Sequence, residues 1–255
     1  MYEYLHRILG RIIGIIFFIP LLYFTIRKAI PPVLIPRLYL LLILGGFQGV
    51  LGWYMVKSGL VDDPNVSQYR LTAHLGMAVF IYSLILWTVF DLSLNYNHAI
   101  RSRIKWMSST LTLLIFLMIL SGGLVAGTRA GIPFPTWPLM GDTFIPPQIY
   151  SMNPSWLSAF EDMATIQFNH RMFAYLLTIF IVIFAIVLLG SNVPRFLKNG
   201  TTVLLFVLSL QVVLGISTLL FYIPIPVAAA HQVGAIALLS VSLFITHSCL
   251  SREQI

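Results

Sequence analysis

Long runs of apolar residues, separated by short polar segments, dominate this chain of 255 residues. The hydrocarbon core of a bilayer is about 30 Å thick, so a helix needs about 20 apolar residues to cross it. Uncharged runs of that length predict seven transmembrane helices, at residues 4–27, 38–56, 71–90, 106–128, 168–193, 201–222 and 228–250. The last two share one uncharged stretch, which Ile223-Pro224-Ile225-Pro226 divides because proline lacks the backbone donor of a helix. The pattern predicts an all-α, polytopic transmembrane helical bundle.

An internal repeat aligns the first three spans with the last three. The matching segments are Leu5-His6-Arg7 with Asn169-His170-Arg171, Gln48-Gly-Val-Leu-Gly52 with Gln211-Val-Val-Leu-Gly215, and, more loosely, His74-Leu-Gly76 with His231-Gln-Val-Gly234. They predict two homologous halves, 1–100 and 101–255, each of a four-helix type. Both halves run in the same direction, so the axis that relates them lies along the membrane normal. The repeat also predicts that the first half lacks a counterpart of the span at 106–128.

Composition and charge exclude several classes of protein. With 58% hydrophobic and 9% charged residues, the chain is neither a water-soluble globule nor a disordered protein. The net charge of +7 comes from Lys and Arg in short loops, which indicates membrane topology and not nucleic-acid binding. Their distribution predicts an N-terminus outside and a C-terminus inside. Because no Arg- and Ser-rich transit segment is evident, we expect a bacterial inner (plasma) membrane, with the mitochondrial inner membrane as the alternative.

The only long connection, roughly residues 129–167, is predicted on the outer face. It is rich in proline and aromatic residues and poor in charge. Such a composition predicts a loop that lies on the membrane interface or covers a pocket, not a free linker.

Four of the six histidines share one predicted depth in the membrane, in the first residues of helices that descend from the outer face. They are His6, His74, His170 and His231. Ionisable residues inside a membrane are costly and are functional candidates. One pair in each half suits bis-imidazole ligation of two haem irons, whereas zinc needs three or four ligands in one cluster. The alternative is four interfacial histidines bonded to carbonyl groups. His98 and His247 are predicted to be solvated or interfacial.

Charged residues near these histidines suggest further roles. The guanidinium group matches a carboxylate, so the arginines at the outer face are candidates to bind haem propionates, with lipid phosphate as the alternative. They are Arg7, Arg70, Arg129 and Arg171. Glu3 lies one helical turn before His6 on the same face, where the second half has Gln167. This difference suggests that one half performs chemistry and the other holds a cofactor, although Glu3 can also favour a helix N-terminus through the dipole.

Several segments resemble the haem A synthase family, the mitochondrial and alphaproteobacterial type most. They are Glu3-Tyr-Leu-His-Arg-Ile-Leu-Gly10, Gly49-Val-Leu-Gly-Trp-Tyr-Met-Val-Lys-Ser-Gly59, Ser67-Gln-Tyr-Arg-Leu-Thr-Ala-His74-Leu-Gly76, Gln167-Phe-Asn-His-Arg171, Gly127-Thr-Arg-Ala-Gly131, Phe134-Pro with Trp137-Pro-Leu-Met-Gly141, and Leu214-Gly-Ile-Ser-Thr-Leu-Leu220 followed by His231-Gln232. The resemblance covers essentially the whole chain. That family usually has eight spans, and the span missing here is its first. The outer cysteine pair of some bacterial members is also absent, and Cys249 is the only cysteine.

The resemblance implies an oxidoreductase that oxidises the C8 methyl group of haem O, its substrate, to a formyl group, which gives haem A for cytochrome c oxidase. It implies a resident haem b whose iron is held by His170 and His231. His6 and His74 would ligate or position the substrate haem, and Glu3 would transfer a proton or steady positive charge.

The implied partners are a haem O synthase that supplies the substrate, a ferredoxin-type electron donor and the lipid bilayer. Self-association into a homo-oligomer is left open, and no nucleic acid is involved.

Two other functions fit parts of the pattern. A non-catalytic di-haem b electron carrier would use the same four histidines and would not need Glu3. A transporter would use the histidines as a proton relay, but such transporters break their helices at mid-membrane, and the proline-rich breaks here lie between spans.

Overall fold

The structure is a computed structural model that describes residues 2–57, 66–94 and 98–250, without the side chains of Tyr2, Glu3 and Lys57. Its long helices are α1 (Tyr2–Ile26), α2 (Ile35–Lys57), α3 (Gln68–Ser93), α4 (Ser102–Thr128), α6 (Met163–Leu189), α7 (Arg195–Leu220) and α8 (Ile225–Leu250). Short helical turns lie at Pro32–Leu34, Ser155–Leu157 and α5 (Ser158–Glu161). Within the described residues, seven helices are long and apolar enough to cross a membrane. The predicted polytopic helical bundle is confirmed.

The helix ends differ from the predicted ones for a simple reason. A run of uncharged residues cannot include Arg103 and Lys105, so α4 begins at 102 instead of 106, while α6 begins at 163 instead of 168 because its first turn includes the polar Thr165. The start of α6 is capped by Asp162, whose carboxylate accepts a hydrogen bond of 2.8 Å from the backbone amide of Thr165. The predicted proline break is confirmed, since α7 ends at Leu220 and α8 begins at Ile225.

Four helices of the second half form a closed ring in which α4 packs on α6, α6 on α7, α7 on α8 and α8 on α4. The core lies inside this ring and includes the fully buried Leu111, Phe184 and Leu204. The first half is an open row, with α1 on α2 and α2 on α3. Helix α3 joins the halves by packing on α4 and α8. The described part of the first half thus has three long helices in a row where the second half has four in a ring, and the division at residue 100 stays a prediction.

A polar cluster, buried only at His247, joins three helices at the end opposite the four histidines. The carboxylate of Asp91 on α3 accepts a hydrogen bond from Arg37 on α2, and its Oδ1 lies 2.8 Å from Nε2 of His247 on α8. His247 packs edge-on against Trp87 and is only 2% exposed. The prediction that His247 is solvated or interfacial is therefore wrong, because a carboxylate on another helix lets the imidazole be buried. His98 is exposed, as predicted.

Candidate functional site

His6 on α1 and His74 on α3 face each other near the outer ends of their helices. Their ring centroids are 6.5 Å apart and the ring planes are inclined by 73°, so the rings do not stack. Two metal–imidazole bonds of about 2 Å, the length that zinc makes, together with the two ring radii come to about 6 Å. The spacing of the two rings therefore fits one metal atom held between them.

His74 is held by the neighbouring helix α2. The side-chain amide of Gln48 donates to the backbone carbonyl of His74 at 3.1 Å, and the same nitrogen lies 3.4 Å from His74 Nε2. His74 Nδ1 is buried without a hydrogen-bond partner. Buried polar atoms are almost always paired, so this unpaired nitrogen is the expected signature of a group that the protein binds there.

The second half repeats this arrangement around His231 on α8. Gln211 on α7 donates to the backbone carbonyl of His231 at 2.9 Å, and His231 Nδ1 is also buried without a partner. The opposing residue is His170 on α6, whose Nδ1 lies 3.1 Å from the hydroxyl of Ser121 on α4. Metal-bound imidazoles usually donate their second N–H to an oxygen of this kind, which leaves Nε2 for the metal.

These contacts test whether the chain fits two haem irons. Among the described residues there is no cluster of three or more His, Cys, Asp or Glu side chains suited to a metal ion. The spacing of His6 and His74, the partner of His170 and the unpaired nitrogens of His74 and His231 all fit pairs of axial ligands. Glutamines 48 and 211 carry no metal-ligand signal in the sequence, and only their place in the repeat marks them.

Arg171 does not face an open pocket. It is 6% exposed, and its two terminal nitrogens donate to the backbone carbonyls of Leu139 at 3.1 Å and Phe134 at 3.0 Å. Gln167, one turn earlier on α6, donates to the same Phe134 carbonyl at 3.0 Å. Arg171 thus fastens the outer loop, which is the long connection between α4 and α6, to α6. This agrees with the prediction that the connection is not a free linker. Its pairing with a haem propionate stays a prediction.

The other outer arginines have different surroundings. Arg70 stacks over the ring of Tyr54 at 3.9 Å and donates to the Tyr54 carbonyl at 3.2 Å. Arg7 is exposed near the start of α1 and Arg129 directly after the end of α4. Glu3 lies in the first turn of α1, but its side chain is outside the described part of the structure. Its proposed chemistry therefore stays a prediction.

Replacing Arg171 with methionine should loosen the outer loop. The variant loses two hydrogen bonds from a charged group, each worth about 1.5–3 kcal/mol in such settings, and local opening of the loop becomes easier. Chymotrypsin should then cut this aromatic-rich loop faster than in the unaltered protein. Arg103→Met, which removes an exposed arginine from the far end of α4, should leave the rate unchanged. Equal cleavage of the two variants would contradict the role of Arg171.

Comparison with known proteins identifies the family. Residues 1–243 match the family model COX15-CtaA, described as cytochrome oxidase assembly protein. A protein of Nitrosospira multiformis named Heme A synthase is 46% identical, over 96% of this chain and 70% of that protein. Proteins of the same name from Parvibaculum lavamentivorans and Wolbachia pipientis wMel are 41% and 36% identical, over 96% and 99% of this chain and 70% of each relative. The chain belongs to the haem A synthase family.

Membership of the haem A synthase family confirms the resemblance found in the sequence. The match to residues 1–243 includes all four outer histidines and both glutamines that hold them. The family model therefore covers both halves of the repeat.

Proposed function

We propose that the chain is a haem A synthase, an oxidoreductase that converts the C8 methyl group of haem O to a formyl group for cytochrome c oxidase. The observation that carries this proposal is the pair of imidazoles of His6 and His74, spaced for one metal atom. The family match and the relatives named Heme A synthase support it. The substrate haem would lie between these two histidines in the first half.

In the second half, His170 and His231 would hold the iron of a resident haem b. When bound, such a haem supplies one-electron exchange, while the protein supplies ligands and orientation. Ser121 fixes the His170 ring through its Nδ1, and Gln211 ties α8 to α7 at His231. Arg171 ties the outer loop to α6, next to His170 in the chain.

Glu3 would act on the substrate side, one helical turn from His6. Its carboxylate can accept a proton or stabilise positive charge that develops at the methyl carbon, whereas the amide of Gln167 in the other half cannot. Arg7, Arg70 and Arg129 would pair with haem propionates, since a guanidinium fork matches a carboxylate. Arg70 is held against Tyr54, and its other guanidinium nitrogens would be the ones to meet a propionate.

The partners and the location follow from the same chemistry. The chain has no flavin or nicotinamide fingerprint, so electrons would be exchanged with a ferredoxin-type protein. A haem O synthase would supply the substrate. We place the protein in a bacterial inner membrane, with the mitochondrial inner membrane as the alternative.

Haem analysis after co-expression tests the proposal. The chain is produced with a haem O synthase in a host that lacks its own haem A synthase, and the extracted haems are separated by chromatography. Haem A, or a hydroxylated form of haem O, is expected only when the chain is present. A di-haem b electron carrier would use the same two histidine pairs, so haem b at both sites with no new haem species would overturn the synthase function in favour of the carrier.

A further inference from the structure

Two equivalent segments of the repeat, Gln48–Gly52 on α2 and Gln211–Gly215 on α7, contact one histidine each. Residues four apart lie on the same face of a helix, so each glutamine and its glycine meet the same neighbour. The glutamines donate to the backbone carbonyls of His74 and His231. The glycines lie directly against the imidazole rings of those two histidines.

The missing side chain of each glycine is what lets the ring approach. A methyl carbon built at Gly52 would lie 3.0 Å from Cε1 of His74, and one built at Gly215 would lie 2.8 Å from Cε1 of His231. Carbon atoms prefer separations of about 3.5–4.0 Å. Alanine at either position would therefore turn or displace the imidazole ring.

Close packing of helices is the usual reason for a glycine in a membrane helix, but the neighbours argue otherwise here. The three atoms nearest to a methyl carbon built at Gly52 all belong to the ring of His74. The three nearest to one built at Gly215 all belong to the ring of His231. Gly127 on α4 is the contrasting case, because a methyl carbon there would meet the backbone of Gln68 at 2.7 Å. Gly127 lets two helices pack closely, whereas Gly52 and Gly215 let an imidazole ring approach the helix backbone.

We propose that Gly52 and Gly215 are positioning residues that fix the ring planes of the two axial histidines, one in each half. This inference rests on the proposed function, in which His74 faces the substrate haem and His231 the resident haem b. Each ring is confined by the glycine backbone on one side and is tied through its own backbone by Gln48 or Gln211. The ring cannot swing towards the neighbouring helix, which would keep a ring nitrogen available to the iron of the proposed haem.

The test compares three alanine variants with the unaltered full chain, each purified from cells that supply haem b and haem O. Gly215→Ala is expected to alter the electron paramagnetic resonance signal of the resident low-spin ferric haem, which depends on the ring planes of its two imidazoles. Its haem affinity should fall about 10- to 100-fold, as for other outer-shell changes. Gly52→Ala should leave that signal intact and change the signal or retention of the substrate haem. Gly49→Ala is the matched control, since no atom lies within 4 Å of a methyl carbon built there.

Each result bears on the proposal. If Gly52→Ala and Gly215→Ala have the same spectra and haem contents as Gly49→Ala, the inference is overturned and the proposed function is not affected. An unaltered chain that binds no haem would overturn the proposed function, and the inference with it.

A poorly folded Gly215→Ala is resolved by the double variant Gly215→Ala/His231→Ala, which removes the ring that the methyl group would meet. If Gly215 is needed only for the approach of the ring, the melting temperature of the double variant should be no lower than that of His231→Ala. A lower melting temperature would show that Gly215 serves helix packing, and would overturn the inference.

Discussion

Replacing His170 or His231 with alanine should remove the haem b of the second half from the purified protein. In the proposed function each imidazole would supply one of two axial ligands, so the alanine variant would leave the iron with a single protein ligand. The loss should exceed the about 10- to 100-fold drop in affinity that follows a changed outer-shell partner. The absorption band of reduced haem b, measured per chain, reports the result directly.

His98, which does not lie with the four paired histidines, provides the control for this experiment. His98 is exposed on the far side of the membrane bundle and ligates nothing in the proposed function. His98→Ala should retain the full absorption of haem b. A haem b band of full intensity in both His170→Ala and His231→Ala would contradict the assignment of this pair, whatever the activity of the variants.

Replacing Glu3 with glutamine should block the formation of haem A and leave the resident haem b in place. The amide keeps the size of the side chain but cannot take up a proton or carry negative charge. General acid–base groups contribute about 10²- to 10⁴-fold to a rate, so the product should fall by that order. Chromatography of haems extracted after co-expression with a haem O supply measures it.

Asp142 gives the matched control for the loss of one outer carboxylate. It is an exposed residue of the outer loop, and Asp142→Asn should form haem A at the rate of the unaltered chain. If Glu3→Gln forms haem A equally well, Glu3 serves only the N-terminus of α1. If Glu3→Gln loses the haem b as well, the residue is needed for folding and not for chemistry.

Much of the fold could be predicted because its signals are local. The length of an apolar run fixes a membrane helix, and the two prolines after α7 fix where it ends. The repeat also predicted equivalent surroundings for matching residues, because Gln48 and Gln211 make the same hydrogen bond to equivalent histidines. First turns that contain charged residues, such as those of α4 and α7, were lost by counting uncharged residues.

The contacts between distant parts of the chain could not be predicted in the same way. His247 is buried because Asp91, on another helix, provides an acceptor. Nothing in the sequence indicates that these two residues are paired. Arg171 donates to backbone carbonyls of the outer loop, and a carbonyl group has no sequence signature. The ring contact of Gly215 likewise depends on how closely α7 and α8 approach.

The outer loop imposes an order on the assembly of the second half. The loop follows α4 and precedes α6, so Arg171 can reach Phe134 and Leu139 only after both helices have been inserted. It also holds α6 by Asn169 and Tyr175, residues on either side of His170 in the chain. In the proposed function, the same loop contacts therefore hold in place the segment of α6 that would carry one ligand of haem b.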